Sequence, residues 1–353
     1  MASVIVNDDR VEQIEEPLKS PEMWLRRPIY HLEEASDKSG ENSEYRGPAV
    51  YPENMYVWKD FVTGQDIKSQ LEQKTLTKLK AAFTESQREK FTWGDPECGL
   101  NVNEASFVNS WAPVTQGINL ILKMMSEKES EKGNAAYAII GDGDVAKWKA
   151  PEYNGKNYNV GQKKADYSTY KHMTPETHKI LGAENIFNRI PGDAKIYGKI
   201  RHSMLPPNGQ EFIVNPKAQF EAMKVLKQIY NYMDQHEARY GYVVNNKEIV
   251  FFRRRPHYWG HMDISPPIKH KVEADLDKGI LNSKYVLFYF LHVIAMDESK
   301  WRLESCIMMV PTRDQISRNA KRTALRLGAA NVKRRRTDKR IENEKKAGRN
   351  RMY

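Results

Sequence analysis

Asp193 and Lys195 stand two positions apart in the run IPGDAK (Ile190 to Lys195), and Asp166 precedes them by 27 residues. On a strand, positions i and i+2 point to one face, so Asp193 and Lys195 project side by side. If the strand carrying Asp166 is their neighbour, its carboxylate approaches the same point. Glu104 upstream adds a further acid, and Gln228 downstream adds an amide. Such a set suits phosphodiester hydrolysis. Mg²⁺ (or Mn²⁺) prefers hard oxygen ligands and keeps water and substrate phosphate in its remaining positions. A cation so held polarises the phosphate and makes hydroxide from bound water. Asp166, Asp193 and Glu104 are the candidate metal ligands. Lys195, its pKa lowered by burial, would orient or deprotonate the water or offset charge on the phosphate. Gln228 would hold the nucleophile or the substrate.

These residues need elements to place them. TLTKLKAAFTESQREKF (Thr75 to Phe91) has helical spacing and predicts an accessory helix. From Asn103, the positions Phe107, Trp111, Val114, Ile118, Ile121, Leu122 and Met125 mark one face of a second helix, with Pro113 as a kink near its start. Ala135 to Ile140 reads as a strand ending at the turn GDGD. Lys163 to Tyr170 reads as a second strand bearing Asp166. After the turn Pro191-Gly192, the segment DAKIYGKI reads as a third. Ala218 to Met233 follows as a helix. Tyr240 to Val244 and Glu248 to Phe252 flank Asn245-Asn246-Lys247 as a hairpin. Lys284 to Met296 is apolar nearly all round, which predicts a buried helix. The order helix, three strands, helix, two strands gives an α/β fold with a mixed four- to five-stranded sheet flanked by helices.

The runs IPGDAK and QIYNYMDQHEARYGYVVNNKEIVFFRRR (Gln228 to Arg255) resemble fungal proteins that carry a PD-(D/E)XK nuclease-like domain. NEASFVNSW (Asn103 to Trp111) is similar to the first helix of that group, which bears an acid, and KADY (Lys164 to Tyr167) to its motif strand. The resemblance covers roughly half the chain. It implies a restriction-endonuclease-like core and Mg²⁺-dependent cleavage of nucleic acid by Glu104, Asp166, Asp193, Lys195 and Gln228. Two positions depart from the pattern: Ala165 stands where the motif proline would be, and the second acid is Asp193 instead of glutamate. The same fold also serves as a catalytically inactive module that binds nucleic acid or a protein, so fold alone does not decide activity.

Other clusters have plainer readings. Asp142 and Asp144 in GDGD read as a tight turn, although they could compete with Asp166 for a metal. His257, His261 and His270 read as loop residues, because Pro256 and Gly260 oppose a helical zinc pair. Arg239 is expected to pair with an acid and Tyr240 to fill the sheet. Arg253, Arg254 and Arg255 are candidate contacts to a phosphate backbone, or else a solvated strand end.

Composition sets the outer bounds. Of the formal charge of +10, the tail from Arg313 to Tyr353 supplies +11, with 15 Lys and Arg against 4 Asp and Glu, so the rest sums to −1. Lys321-Arg322, ten residues, then Lys333-Arg334-Arg335-Arg336 has the spacing of a bipartite nuclear signal read by an import receptor. Only Cys98 and Cys306 are present, which excludes a cysteine zinc site or a disulfide framework. The mean hydropathy of −0.74 predicts disorder at the ends. The N-terminus has no basic stretch followed by an apolar run, and Tyr285 to Met296 is too short for a membrane span of ~20 residues. The expectation is an intracellular, nuclear protein with no membrane association. It would have a polar and helical N-terminal extension (1–96), a nuclease-like core (97–256), a C-terminal helical extension packed on the core (257–312) and a basic tail (313–353).

Overall fold

The computed structural model describes residues 19–29, 32, 54–92, 104–127, 137–145, 165–172, 179–180, 186–195, 216–256 and 260–303. The chain divides into a unit of Met1–Cys306 and a second of Ile307–Tyr353. The second unit, with both basic runs, lies outside the described residues, as do Cys98, Cys306 and His257.

The frame is an open, mixed sheet of eight strands: β1 (Asn54–Val57), β2 (Ala138–Asp142), β3 (Tyr167–Lys171), β4 (Gly192–Ala194), β5 (Tyr240–Val244), β6 (Glu248–Arg254), β7 (His261–Ile264) and β8 (Ile268–Lys269). Their order is β1-β7-β6-β5-β4-β3-β2, and β8 pairs with the start of β6. β4 runs parallel to β5 and β1 parallel to β7; the other pairs are antiparallel. The expected four to five strands were too few. The additional strands β1, β7 and β8 come from segments outside 97–256. They are two to four residues long, too short to show alternation, and Gly260 and Pro266-Pro267 interrupt the second stretch. His261 accordingly opens a strand and is not a loop residue.

Helices cover both faces: α1 (Pro21–Arg26), α2 (Gly64–Gln70), α3 (Gln73–Lys80), α4 (Glu85–Thr92), α5 (Glu104–Glu127), α6 (Pro216–Gln235), α7 (Ser283–Tyr289, continued by a π turn at Phe290–Ile294) and α8 (Glu298–Trp301). The single helix expected over Thr75 to Phe91 is two. Ala81 turns extended, and Thr84 starts the second by exchanging hydrogen bonds with Gln87, its N–H donating to Oε1 at 2.9 Å and its Oγ1 accepting from the Gln87 N–H at 3.3 Å.

Alternation along β5 sorts side chains into two cores. Tyr240, Tyr242 and Val244 join the apolar stripe of α5 and the wholly buried α7. Val243 joins Val250, Phe252 and the inner face of α6. Each fully buried large apolar side chain contributes about 1.5–3 kcal/mol, and Trp111, Ile118 and Ile121 of α5 are all in that state. Asn119 of α5 closes the outer edge of the sheet: its amide donates to the Ile140 carbonyl at 2.7 Å and accepts from the Ile140 N–H at 2.8 Å. Trp24 of α1 packs into the space above Gly117, with Lys284 Nζ 4.4 Å from its ring centre.

α6 ends in a left-handed residue that is not glycine. Glu237 has φ 53°, its N–H donates to the Asp234 carbonyl at 3.1 Å, and the Ala238 N–H donates to Met233 at 2.7 Å.

Candidate active site

The site is built where β3 begins and β4 ends. The β3–β4 ladder has one paired position, Tyr167 opposite Gly192. Asp166, one residue before β3 and not on it as expected, then substitutes its side chain for backbone: Oδ2 accepts from the Ala194 N–H at 2.7 Å. This register sets Asp166 across from Asp193, with the two carboxyls within hydrogen-bonding reach. Lys195 follows the last residue of β4, anchored by its N–H to the Val244 carbonyl at 2.9 Å. Its ammonium donates to the Ala194 carbonyl at 3.0 Å. It also lies 2.6 Å from Asp193 Oδ2, forming a buried ion pair. Asp166, Asp193 and Lys195 therefore converge, as their spacing predicts.

Burial dominates the electrostatics. Asp193 is 1% exposed and Lys195 4%. Desolvation pushes the Asp193 carboxyl well above the usual carboxylate range; Lys195 opposes that shift, and the neighbouring Asp166 adds to it. Two carboxyls this close favour holding a proton or a cation between them. Asp166, Asp193 and the Ala194 carbonyl present hard oxygens, so the donor set fits a divalent cation such as Mg²⁺. Among the described residues no group of three His, Cys, Asp or Glu side chains gathers at one point, and the side chain of Glu104, first residue of α5, lies outside the described set.

The other predicted residues lie elsewhere. Gln228 Nε2 donates to the Tyr232 hydroxyl at 2.8 Å, one turn along α6, and makes no hydrogen bond to Asp166 or Asp193. Arg254 is 1% exposed; it pairs with Asp234 at 2.6 Å and donates to the Met233 and Ala238 carbonyls, both at 3.3 Å. It fastens the end of α6 and is not a phosphate contact. Arg253 and Arg255 share Asp263, at 2.8 and 2.6 Å, and lie over Trp58 and Tyr56. Arg253 also pairs with the exposed Asp60. Arg239 makes no ion pair among the described residues and instead lies over Tyr240. Asp142 ends β2 and passes into the one-turn helix Gly143–Val145, in keeping with a plain turn. His270 is fully buried, its ring held by Ser283 and the Asn245 carbonyl and set against Trp111.

Sequence reasoning passed over the residues that set the register. Asn188, fully buried, accepts from the Thr169 N–H at 2.9 Å and donates to the Tyr167 carbonyl at 3.1 Å, as a strand peptide would. Its own N–H points at His236 Nδ1, 3.4 Å away. Gly192 matters for a steric reason. A Cβ there would stand 2.1 Å from Tyr242 Cζ, and the rings of Tyr167 and Tyr242 flank the gap with centroids 6.3 Å apart. Both tyrosine hydroxyls are buried with no hydrogen-bond partner among the described residues, and burial raises both pKa values.

No family model, no curated protein and no solved structure matches the chain.

Proposed function

We propose that this chain is a metal-dependent nuclease with a restriction-endonuclease-like core, acting on phosphodiester bonds of nucleic acid. The observation that carries the reading is the convergence of Asp166, Asp193 and Lys195 at the joined ends of β3 and β4. The order α5, β2, β3, β4, α6, β5, with β4 parallel to β5, supports it. Asp166 and Asp193 would hold Mg²⁺ or Mn²⁺, with Glu104 as a further ligand; the cation supplies Lewis acidity and a nucleophilic water. Lys195 holds charge at the phosphate or moves the proton of the attacking water. Gln228 would have to leave Tyr232 to touch substrate. The basic runs at Lys321-Arg322 and Lys333 to Arg336 would serve nuclear import.

A second reading is favoured by one observation: both carboxylates are already engaged by protein groups, Asp166 by the Ala194 N–H and Asp193 by Lys195. It is an inactive module of the same fold that holds nucleic acid or a protein partner. Incubation of supercoiled plasmid, single-stranded DNA and RNA with Mg²⁺ or Mn²⁺ separates the two. Cleavage that EDTA, Asp193→Ala and Lys195→Ala each abolish supports the nuclease. Absence of cleavage on all three substrates by folded protein, or full activity in folded Asp193→Ala, overturns it.

A further inference from the structure

The body of the chain is near neutral and most arginines at the strand ends are consumed internally, so any contact to a polyanion must come from specific surface cations. The register locates one group. Glu248 pairs with Lys269, and Val250, two positions along β6, pairs with Val243, which pairs with Asp193. Paired positions share a face and alternate positions return to it, so Lys269 stands on the sheet face of Asp193. It also stands at the same end, because the start of β6 lies beside the ends of β5 and β4. Lys269 and Lys271 are exposed and make no ion pair among the described residues. The Lys247 carbonyl accepts from the His270 N–H at 3.1 Å, which brings a third exposed lysine to this corner. Of the nearby acids, Glu248 is buried and Glu273 faces Arg26 at 3.9 Å.

We propose that Lys269 and Lys271, with Lys247 beside them, form a phosphate-backbone contact for a nucleic-acid strand whose reacting phosphate lies at Asp166 and Asp193; the proposal rests on the nuclease reading above. Three strand spacings of ~4.8 Å across and two residues of ~3.4 Å along put Lys269 about 16 Å from Asp193. At ~3.4 Å per nucleotide in one strand of a duplex, the lysines meet the backbone about five nucleotides from the reacting bond. The contact is to phosphate and carries no base preference.

The test is the salt dependence of binding, measured on the full chain without divalent cation, using duplex DNA and duplex RNA of roughly 20 base pairs. The basic tail contributes equally to every variant. Each lost phosphate contact lowers the slope of log affinity against log salt by ~0.9, so Lys269→Ala with Lys271→Ala should lower it by about two. Lys59→Ala with Lys80→Ala, an equal charge change elsewhere, should leave the slope unchanged. A fall for one duplex alone identifies which backbone is held. An unchanged slope for both duplexes, or an equal fall in the control pair, overturns the surface. Its failure and that of the nuclease reading are distinguishable: a fallen slope in a protein that cleaves nothing keeps the surface and discards the nuclease, and cleavage with an unchanged slope does the reverse.

Discussion

Lys195→Met tests the charge logic of the site most directly. The side chain it replaces is 4% exposed and its partner Asp193 is 1% exposed, so neither charge is served by solvent. Removing one member of such a pair costs about 3–5 kcal/mol, because the other is left buried and uncompensated. The cost depends on pH. Burial already raises the Asp193 pKa, and Lys195 is the main influence holding it down; without it the pKa rises further. An acid raised in the folded state contributes stability that is present below its unfolded value and lost as pH rises through the folded one. Lys195→Met should therefore approach wild-type stability at pH low enough to protonate the carboxyl in the folded and unfolded chain alike, and fall short by about 3–5 kcal/mol near pH 8. Urea titrations followed by tryptophan fluorescence read both values. Asp193→Asn combined with Lys195→Met should recover most of the loss, since it removes both charges together. A Lys195→Met protein as stable as wild type near pH 8 would refute the view that Lys195 neutralises the acids.

Gly192→Ala should destabilise the fold by about 1–3 kcal/mol or more, because the new methyl meets the fully buried Tyr242 ring. Tyr242→Phe should cost nothing or raise the melting temperature, having removed a hydroxyl with no partner; a clear loss would mean that the hydroxyl is satisfied. Glu237→Gly should be more stable than Glu237→Ala by about 1 kcal/mol in urea, since both lose Arg302 and only glycine accepts φ 53° freely. Burial lowers the His236 pKa from 6.5 to about 4. The unfolded chain thus binds a proton that the native state refuses, and stability worth up to ~3 kcal/mol is lost as pH falls from 6.5 towards 4. His236→Gln should flatten that part of the stability-versus-pH curve, and an unchanged slope would reject the assignment.

The parts of this fold that read well from sequence are those with a repeated physical signal. The stripe from Phe107 to Met125 and the apolar run after Ser283 declare their helices because burial acts on every turn. The NNK turn between two β-branched and aromatic runs declares the hairpin. Asp193 and Lys195 were legible because one strand places them two apart, whatever surrounds it. Asp166 was found, although its role as a backbone surrogate was not, since a side chain that replaces a peptide group leaves no periodic mark. Asn188 is silent for the same reason. β1, β7 and β8 were missed because two to four residues contain too few alternations to be told from loop. The arginines misled through composition: FFRRR looks like a cationic end, but Asp234 of α6 and Asp263 of β7 consume those charges.

The joint between β3 and β4 has a mechanical meaning. Mechanically the sheet is two plates. β2 and β3 are laced along five paired positions, and β4, β5 and β6 likewise hold continuous ladders. Between the plates run one backbone pair, the Arg189 N–H to Thr169, the Asn188 amide and the Asp166 carboxylate. The seam passes through the acid pair, and among the described residues one of its fasteners is the Asp166 oxygen proposed above to hold a cation. Whatever draws Asp166 away from the Ala194 N–H loosens the plates at that point, and whatever clamps them together competes for the same oxygen. In the proposed nuclease, filling the site and fastening the sheet would therefore draw on the same Asp166 carboxylate.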